Sequence, residues 1–529
     1  MRDSGRKLRA VRAETRLPSH SPMTGRRLYV ITFTMMLSLF LASIETTVVA
    51  TAMPTIVAQL GGLEIYAWVF SAFMLTMTTM VPIFGKLSDI YGRLRIYLIA
   101  VAIFLIGSAL AGLAQDMPQL VLFRAIQGLG AGGIQPLVFT IIGDIFTFEQ
   151  RAKMQGLFSG VWGVSSIVGP IVGGFLVDQV SWQWVFWLNV PFGLFAAALM
   201  IVAWRDVNPR SPGKIDYVGA ALLSGGIVSL MFALFELNSG ASADWSMFSF
   251  ALILSIGLFV ALLWVERRAS NPILPLDLFR DRLFSTSIGH GFLAGFALFG
   301  STSFIPLFVQ SVLGTSATAA GATLTPQLLG WVTASVIGSR LLLRFNYRSL
   351  ALTGMSLLIV GFVMLTQVSV ATPQWFLIIA VGLSGVGMGL SIPAFLIAVQ
   401  TTVPRQSLGT ATATVQFSRS IGGTIGVSTM GVILAMRLAN GLVSAGLDPN
   451  QASVSELLNS VSTSSAGTLD SIRIALASAV QSVFVVALVA AILGWVVTLL
   501  APRGRIGRPV PSASAAEEAQ IEESMMPME

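Results

Sequence analysis

One carboxylate, Glu45, interrupts an apolar run from residue 28 to 58 that holds no other charge. At ~1.5 Å per residue the run is long enough to cross a ~30 Å hydrocarbon core as a helix. Counted from Tyr29, Glu45 lies ~24 Å in, past the midplane and short of the end. A carboxylate at that depth is costly and by default faces a bundle interior or a water-filled path. The plain alternative is a protonated glutamate bonded to a neighbouring helix. A second charge, Arg124, stands in the apolar stretch Leu122-Phe-Arg-Ala-Ile-Gln-Gly-Leu-Gly-Ala-Gly-Gly133. It is ~9 Å from Pro118 at the outer end, and Glu45 is ~6 Å from that same end. The two are level, so a direct or water-bridged pairing is possible. A carboxylate held between a nearby cation and burial can take up and release a proton. Gln127 and Gln135 could line a cavity beside them, and Gly128, Gly130, Gly132 and Gly133 allow close helix packing.

Such charges need apolar helices to hold them, and the composition supplies these. The chain is 54% hydrophobic and 10% charged, against about 25% charged in soluble domains, so it reads as an integral membrane protein. Apolar stretches separated by short polar loops predict fourteen spans, near 28–56, 66–87, 94–114, 118–142, 153–177, 184–204, 216–237, 246–265, 283–310, 317–342, 349–369, 374–399, 407–436 and 476–500. With the N-terminus inside, the inner loops hold Lys86, Arg93, Arg95, Arg151, Lys153, Arg205, Arg210, Lys214, Arg267, Arg268, Arg280, Arg282, Arg340, Arg344, Arg348 and Arg405. The outer connections hold Arg437 and Arg473 beside Asp116, Asp178, Asp244, Asp448, Glu456 and Asp470. That is the asymmetry of the positive-inside rule, which places both termini in the cytoplasm; thirteen spans would scramble it. The net charge of +7 therefore belongs to loops facing the cytoplasm and does not suggest nucleic acid.

Residues 1–27 read as a basic cytoplasmic tail without a cleavable signal, and 501–529 as a second cytoplasmic tail with an acidic patch. Between them lie a first six-helix bundle (28–204), an inserted helix pair with flanking inner loops (205–282) and a second bundle (283–500). The second bundle carries a long outer loop, 437–475, with a short surface helix expected around Ser453–Val461. A weak repeat supports this division: Gly85-Lys-Leu-Ser-Asp-Ile-Tyr-Gly-Arg follows span 2, and Gly338-Ser-Arg-Leu-Leu-Leu-Arg-Phe-Asn follows span 10. The expected fold is an all-α membrane protein, two six-helix bundles plus a pair.

Five stretches together resemble the fourteen-helix drug:proton antiporter branch of the major facilitator superfamily, over about residues 30 to 500. Gly85-Lys-Leu-Ser-Asp-Ile-Tyr-Gly-Arg-Leu-Arg95 resembles the superfamily's inner-loop signature. The resemblance implies that Asp89 caps a helix of the other half and that Arg93 pairs with Asp144, an inner-gate latch with Gly85 and Gly92 at its turns. The span 4 stretch around Arg124 is the second. Gly163-Val-Ser-Ser-Ile-Val-Gly-Pro-Ile-Val-Gly-Gly174, with Gly169, Pro170 and Gly173, is similar to the helix 5 motif of the superfamily's exporters. Trp182-Gln-Trp-Val-Phe-Trp-Leu-Asn-Val-Pro-Phe-Gly193 is similar to a hallmark of the branch and is read as a fold marker, not a binding site. Glu45-Thr-Thr-Val-Val-Ala-Thr-Ala-Met-Pro54 is the fifth; it has Glu45 where most of the branch has Asp. Arg419, in Phe417-Ser-Arg-Ser-Ile-Gly-Gly-Thr-Ile-Gly426, also resembles a branch pattern, as a cavity-lining or a packing residue.

The resemblance implies a secondary transporter of the cell membrane that exports lipophilic, cationic compounds in exchange for protons, with Glu45 and Arg124 coupling the two. Export of lipids or a lipophilic metabolite on the same fold is the alternative, and a degenerate sensor is a third. No phosphate-binding GxxxxGK[ST] loop is present, so a proton gradient, not ATP or a cofactor, is the expected energy source. With no cysteine, two histidines (His20 and His290) and no His-Glu-x-x-His motif, neither a thiol enzyme nor a histidine metal centre is expected. His290 reads as a satisfied core residue and Glu236 as an interfacial one.

Overall fold

The computed structural model describes residues 25–504 apart from 61–65, 147, 205–215, 239–243, 270–271, 275, 316, 405–406 and 445–465. The tails 1–24 and 505–529, the basic stretch 205–215 and the expected helix Ser453–Val461 lie outside the described residues. In chain order the long helices are α1 (Arg26–Leu60), α2 (Tyr66–Tyr91), α3 (Arg93–Ala111), α4 (Met117–Ile145) and α5 (Phe148–Gln179). Then come α6 (Trp184–Ala203, broken at Leu188), α7 (Tyr217–Asn238), α8 (Trp245–Glu266), α9 (Arg282–Thr302) and α10 (Ala317–Leu341). The series ends with α11 (Tyr347–Leu365), α12 (Gln374–Thr402), α13 (Leu408–Ser444) and α14 (Ala466–Leu499). Short helical turns at Ile305–Leu307 and Phe308–Val312 follow α9.

Among the described residues, twelve helices are long and apolar enough to cross a membrane. The other two expected spans, 153–177 and 317–342, fall in α5 and α10, whose sequences are interspersed with Gly, Ser, Thr and Gln. The expected outer loop 437–475 is partly helical, because α13 runs on to Ser444 and α14 begins at Ala466.

Side-chain caps fix where several helices begin. Asp116 accepts the Gln119 amide at 2.8 Å, Asp281 that of Phe284 at 2.9 Å and Asn346 that of Ser349 at 2.7 Å, each satisfying a donor the helix leaves open. Within one half, α1 lies on α5 while α2 and α3 both lie on α4; within the other, α9 lies on α13 while α10 and α11 both lie on α12. The halves meet along α2–α13 and α5–α10. The α7–α8 pair sits outside this seam, where Trp68 meets Phe232 at 6.1 Å and Ile421 packs with Leu223 and Ile227. Small residues bring the helices close, as apolar lipid supplies no driving force between them. A Cβ on Gly128 would collide with the Phe73 carbonyl of α2, and one on Gly107 with the Gln127 backbone, so α4 is clamped between α2 and α3.

Candidate functional site

That clamp determines where the α4 side chains can go. Arg124 and Glu45 are each 1% exposed, and the Arg124 Nη1 donates to Glu45 Oε1 at 2.5 Å. The guanidinium also donates to Gln127 Oε1 at 2.6 Å and to the Val69 carbonyl at 3.3 Å, and lies 4.1 Å over the Phe73 ring. The second carboxylate oxygen is held from another direction: Asn189 Nδ2 donates to Glu45 Oε2 at 2.6 Å. Ser108 of α3 closes the network. It accepts from Asn189 at 3.0 Å and from Gln127 at 3.1 Å, and donates to the Phe186 carbonyl at 2.8 Å. Charge-assisted bonds of this kind are the strong ones, and a buried ion pair tolerates its desolvation only when its remaining donors and acceptors are filled.

Asn189 is the residue that sequence reasoning missed. Its stretch reads as a fold marker, and it does anchor: Trp182 Nε1 donates to Gln59 at 2.9 Å, and Trp187 Nε1 to the Ala109 carbonyl at 3.3 Å. Those indoles pin the start of α6 to α1 and α3, and the pinning delivers Asn189 to the carboxylate. The signal was available. Asn189 lies ~8 Å into α6 from Trp184, the depth already assigned to Glu45 and Arg124.

The remaining named residues fall into distinct places. Gln127 is fully buried inside the network, and Gln135, also on α4, is half-buried. Gly163 of α5 faces Val332 of α10 across the seam of the halves, with Gly169 and Gly173 buried on the same helix and Gly174 half-buried. The side chain of Pro170 lies outside the described residues. His290 is buried, with Nδ1 2.9 Å from Thr498 Oγ1 and its ring against Phe395. Arg419 is half-buried on α13.

A second charged constellation joins the halves at the end of the bundle that carries Lys86, Arg95, Arg280, Arg340, Arg344 and Arg348, here called the basic end. Asp89 accepts the Gly409 amide at 3.0 Å, the Thr410 amide at 2.8 Å and the Thr410 hydroxyl at 2.6 Å, so it caps α13 of the other half. A carboxylate at a helix N-terminus also meets the positive end of the helix dipole. Arg93 donates to Asp89 at 2.6 Å, to Ser88 at 2.7 Å and to Asp144 at 2.8 Å. The turn that presents Arg93 needs glycine, since Gly92 has φ 93°. Close approach is needed at Gly409 as well, where a Cβ would lie 2.7 Å from both Asp89 Oδ1 and Ser88 Oγ. Arg151 adds a bond to the Gln400 carbonyl at 3.1 Å, and Gln400 one to the Phe139 carbonyl at 3.3 Å. The two halves are therefore locked together at the basic end.

Two sets of similarities can now be placed beside this geometry. The family model described as Major Facilitator Superfamily matches residues 35–427. The chain is 37% identical over 486 residues to Multidrug resistance protein 3 of Bacillus subtilis (strain 168), covering 89% of this chain and 94% of that one. It is 36% identical over 407 residues to Multidrug transporter protein MdtP of the same organism, covering 77% and 75% respectively. Among solved structures, the proton:xylose symporter XylE superposes with a TM-score of 0.58 at 14% identity, over 87% of this chain and 94% of that one. The human organic anion transporter MFSD10 superposes with a TM-score of 0.59 at 13% identity, over 88% and 100%. The helical fold, the two joined bundles and the matched family model lead to one assignment: this multi-pass membrane protein belongs to the Major Facilitator Superfamily.

Proposed function

We propose that this protein exports lipophilic compounds across the cell membrane in exchange for protons. The observation that carries the reading is the buried Glu45–Arg124 pair with Asn189 on the carboxylate's second oxygen. In this reading the carboxylate, fully paired here, parts from Arg124 in another state and carries a proton there. Breaking the pair while Glu45 stays charged would strand it, at about 3–5 kcal/mol; protonation removes the carboxylate's share of that penalty, while Arg124 keeps the Gln127 and Val69 acceptors. Similarity to two proteins named for multidrug transport and resistance supports drugs or toxic compounds as cargo. The charge asymmetry of the loops supports fourteen crossings with both termini and the basic end in the cytoplasm.

In this reading the latch of Asp89, Arg93 and Asp144 closes the cytoplasmic side while the outer side exchanges cargo for a proton. Opening inward breaks the cap on α13 and releases the proton from Glu45, whose carboxylate then attracts a cationic group on the next cargo molecule. Rocking of the two bundles alternates access. The test uses purified protein in liposomes, an imposed pH gradient and a fluorescent lipophilic cation. Movement driven by the gradient and abolished by a protonophore is expected. Movement indifferent to the gradient would overturn proton coupling.

A further inference from the structure

Between residues 283 and 447, nearly all of the second half, the sequence contains no Asp and no Glu. Yet α13 carries Arg419 ten residues past Gly409, ~15 Å from the basic end and so near the midplane of a ~30 Å core. Three buried carboxylates of the first half are already paired: Glu45 with Arg124, and Asp89 and Asp144 with Arg93. Among the described residues no hydrogen bond or ion pair reaches the Arg419 guanidinium, which is half-buried and not sealed in the core. Its backbone cannot turn away. A Cβ on Gly295 of α9 would collide with the Arg419 carbonyl and sit 3.2 Å from its Cγ, while Gly422 and Gly426 nest on Phe292 and Phe296. The glycines thus do the packing, and the guanidinium is left over.

A second donor without a partner lies beside it. Gln416 precedes Arg419 by three residues, so the two share a face of α13. Gln416 is 3% exposed, and its Nε2 has no acceptor. A buried donor without a partner costs about 1–3 kcal/mol, and an intramembrane cation marks a functional site by default. With no ion pair to Arg419 among the described residues, five guanidinium donors and an amide call for an acceptor from outside the chain.

We propose that Arg419 and Gln416 are the docking point for an acidic group on lipophilic cargo: a carboxylate, sulfonate or phosphate ester. The inference rests on the reading that the space between the halves carries cargo, and it widens the substrate class from cations to zwitterions and anions.

The experiment is equilibrium binding to the purified full-length protein of two dyes that differ at one group. Rhodamine B has a free carboxylate; its ethyl ester does not. Arg419→Gln is expected to weaken rhodamine B binding by about ten-fold or more, the scale of a lost hydrogen bond to a charged group, with little change for the ester. Arg419→Lys should restore part of the difference, and Gln416→Leu should produce a smaller loss of the same selectivity. Equal losses for both dyes, accompanied by a fall in thermal stability, would make Arg419 a packing residue and overturn the proposal. So would unchanged affinity for both, or no binding of either dye by wild type. Binding needs no gradient, so its outcome is independent of whether pH-driven transport succeeds.

Discussion

Glu45 has both carboxylate oxygens occupied by donors from two different helices, Arg124 on α4 and Asn189 on α6. Removing one donor therefore leaves a specific buried atom unsatisfied. Asn189→Ala is expected to lower stability by about 1–3 kcal/mol, read as thermal unfolding of the purified protein. Asn189→Asp, which sets a second carboxylate against the first, should be worse. A stability unchanged by either would mean that Asn189 only marks the fold. At this scale depth arithmetic reached a long way. It put Glu45 and Arg124 level without any knowledge of how α1 and α4 pack, because a helix converts residue number into depth directly. Lateral placement does not follow from numbering, and that is why Gln127, a residue read as cavity lining, sits fully buried against Arg124 and Ser108.

The helices carry the second lesson. The α2–α3 turn and the start of α13 are some 320 residues apart in sequence, yet Asp89 meets the Gly409 amide at 3.0 Å. No periodicity reveals that pairing; only resemblance to a family of known architecture suggested the latch, and it implied a capped helix in the other half without saying which one or naming Gly409 and Thr410. The latch is testable by accessibility, since the chain has no cysteine of its own. Thr412, fully buried beside the seam, can be replaced by cysteine. Asp89→Asn in that background removes the charge from the α13 cap and weakens the bond from Arg93. Labelling of the Thr412→Cys thiol from the basic end should speed up several-fold, as the cap and dipole contributions of about 0.5–2 kcal/mol are lost. An unchanged rate would show that the remaining contacts, the α5–α10 seam and the bonds through Gln400, keep this end shut. Gly409→Ala, which drives a methyl into Asp89 and Ser88, should have the same effect by a steric route.

For the molecule as a whole, apolar length and loop charge were legible from the start, while the count of crossings was not settled by hydropathy. Two helices, α5 and α10, are less apolar along the seam where the halves meet, where small and polar residues replace the leucines a lipid-facing span would carry. Impermeant labelling of single cysteines introduced at Arg95 and Arg344 should report the same side of an intact cell membrane, the cytoplasmic one, with a cysteine at Asp116 on the opposite side. Labelling of Arg95→Cys from outside would reverse the orientation on which the export direction depends.

The central claim is that one carboxylate couples proton movement to cargo movement, and it is tested most directly by transport in liposomes under an imposed pH gradient, comparing wild type with Glu45→Gln and Glu45→Asp. The account predicts that Glu45→Gln abolishes gradient-driven movement, with cargo binding still measurable, and that Glu45→Asp keeps a fraction of it. Undiminished pH-coupled transport by Glu45→Gln would contradict the account and remove Glu45 from its place at the centre of the mechanism.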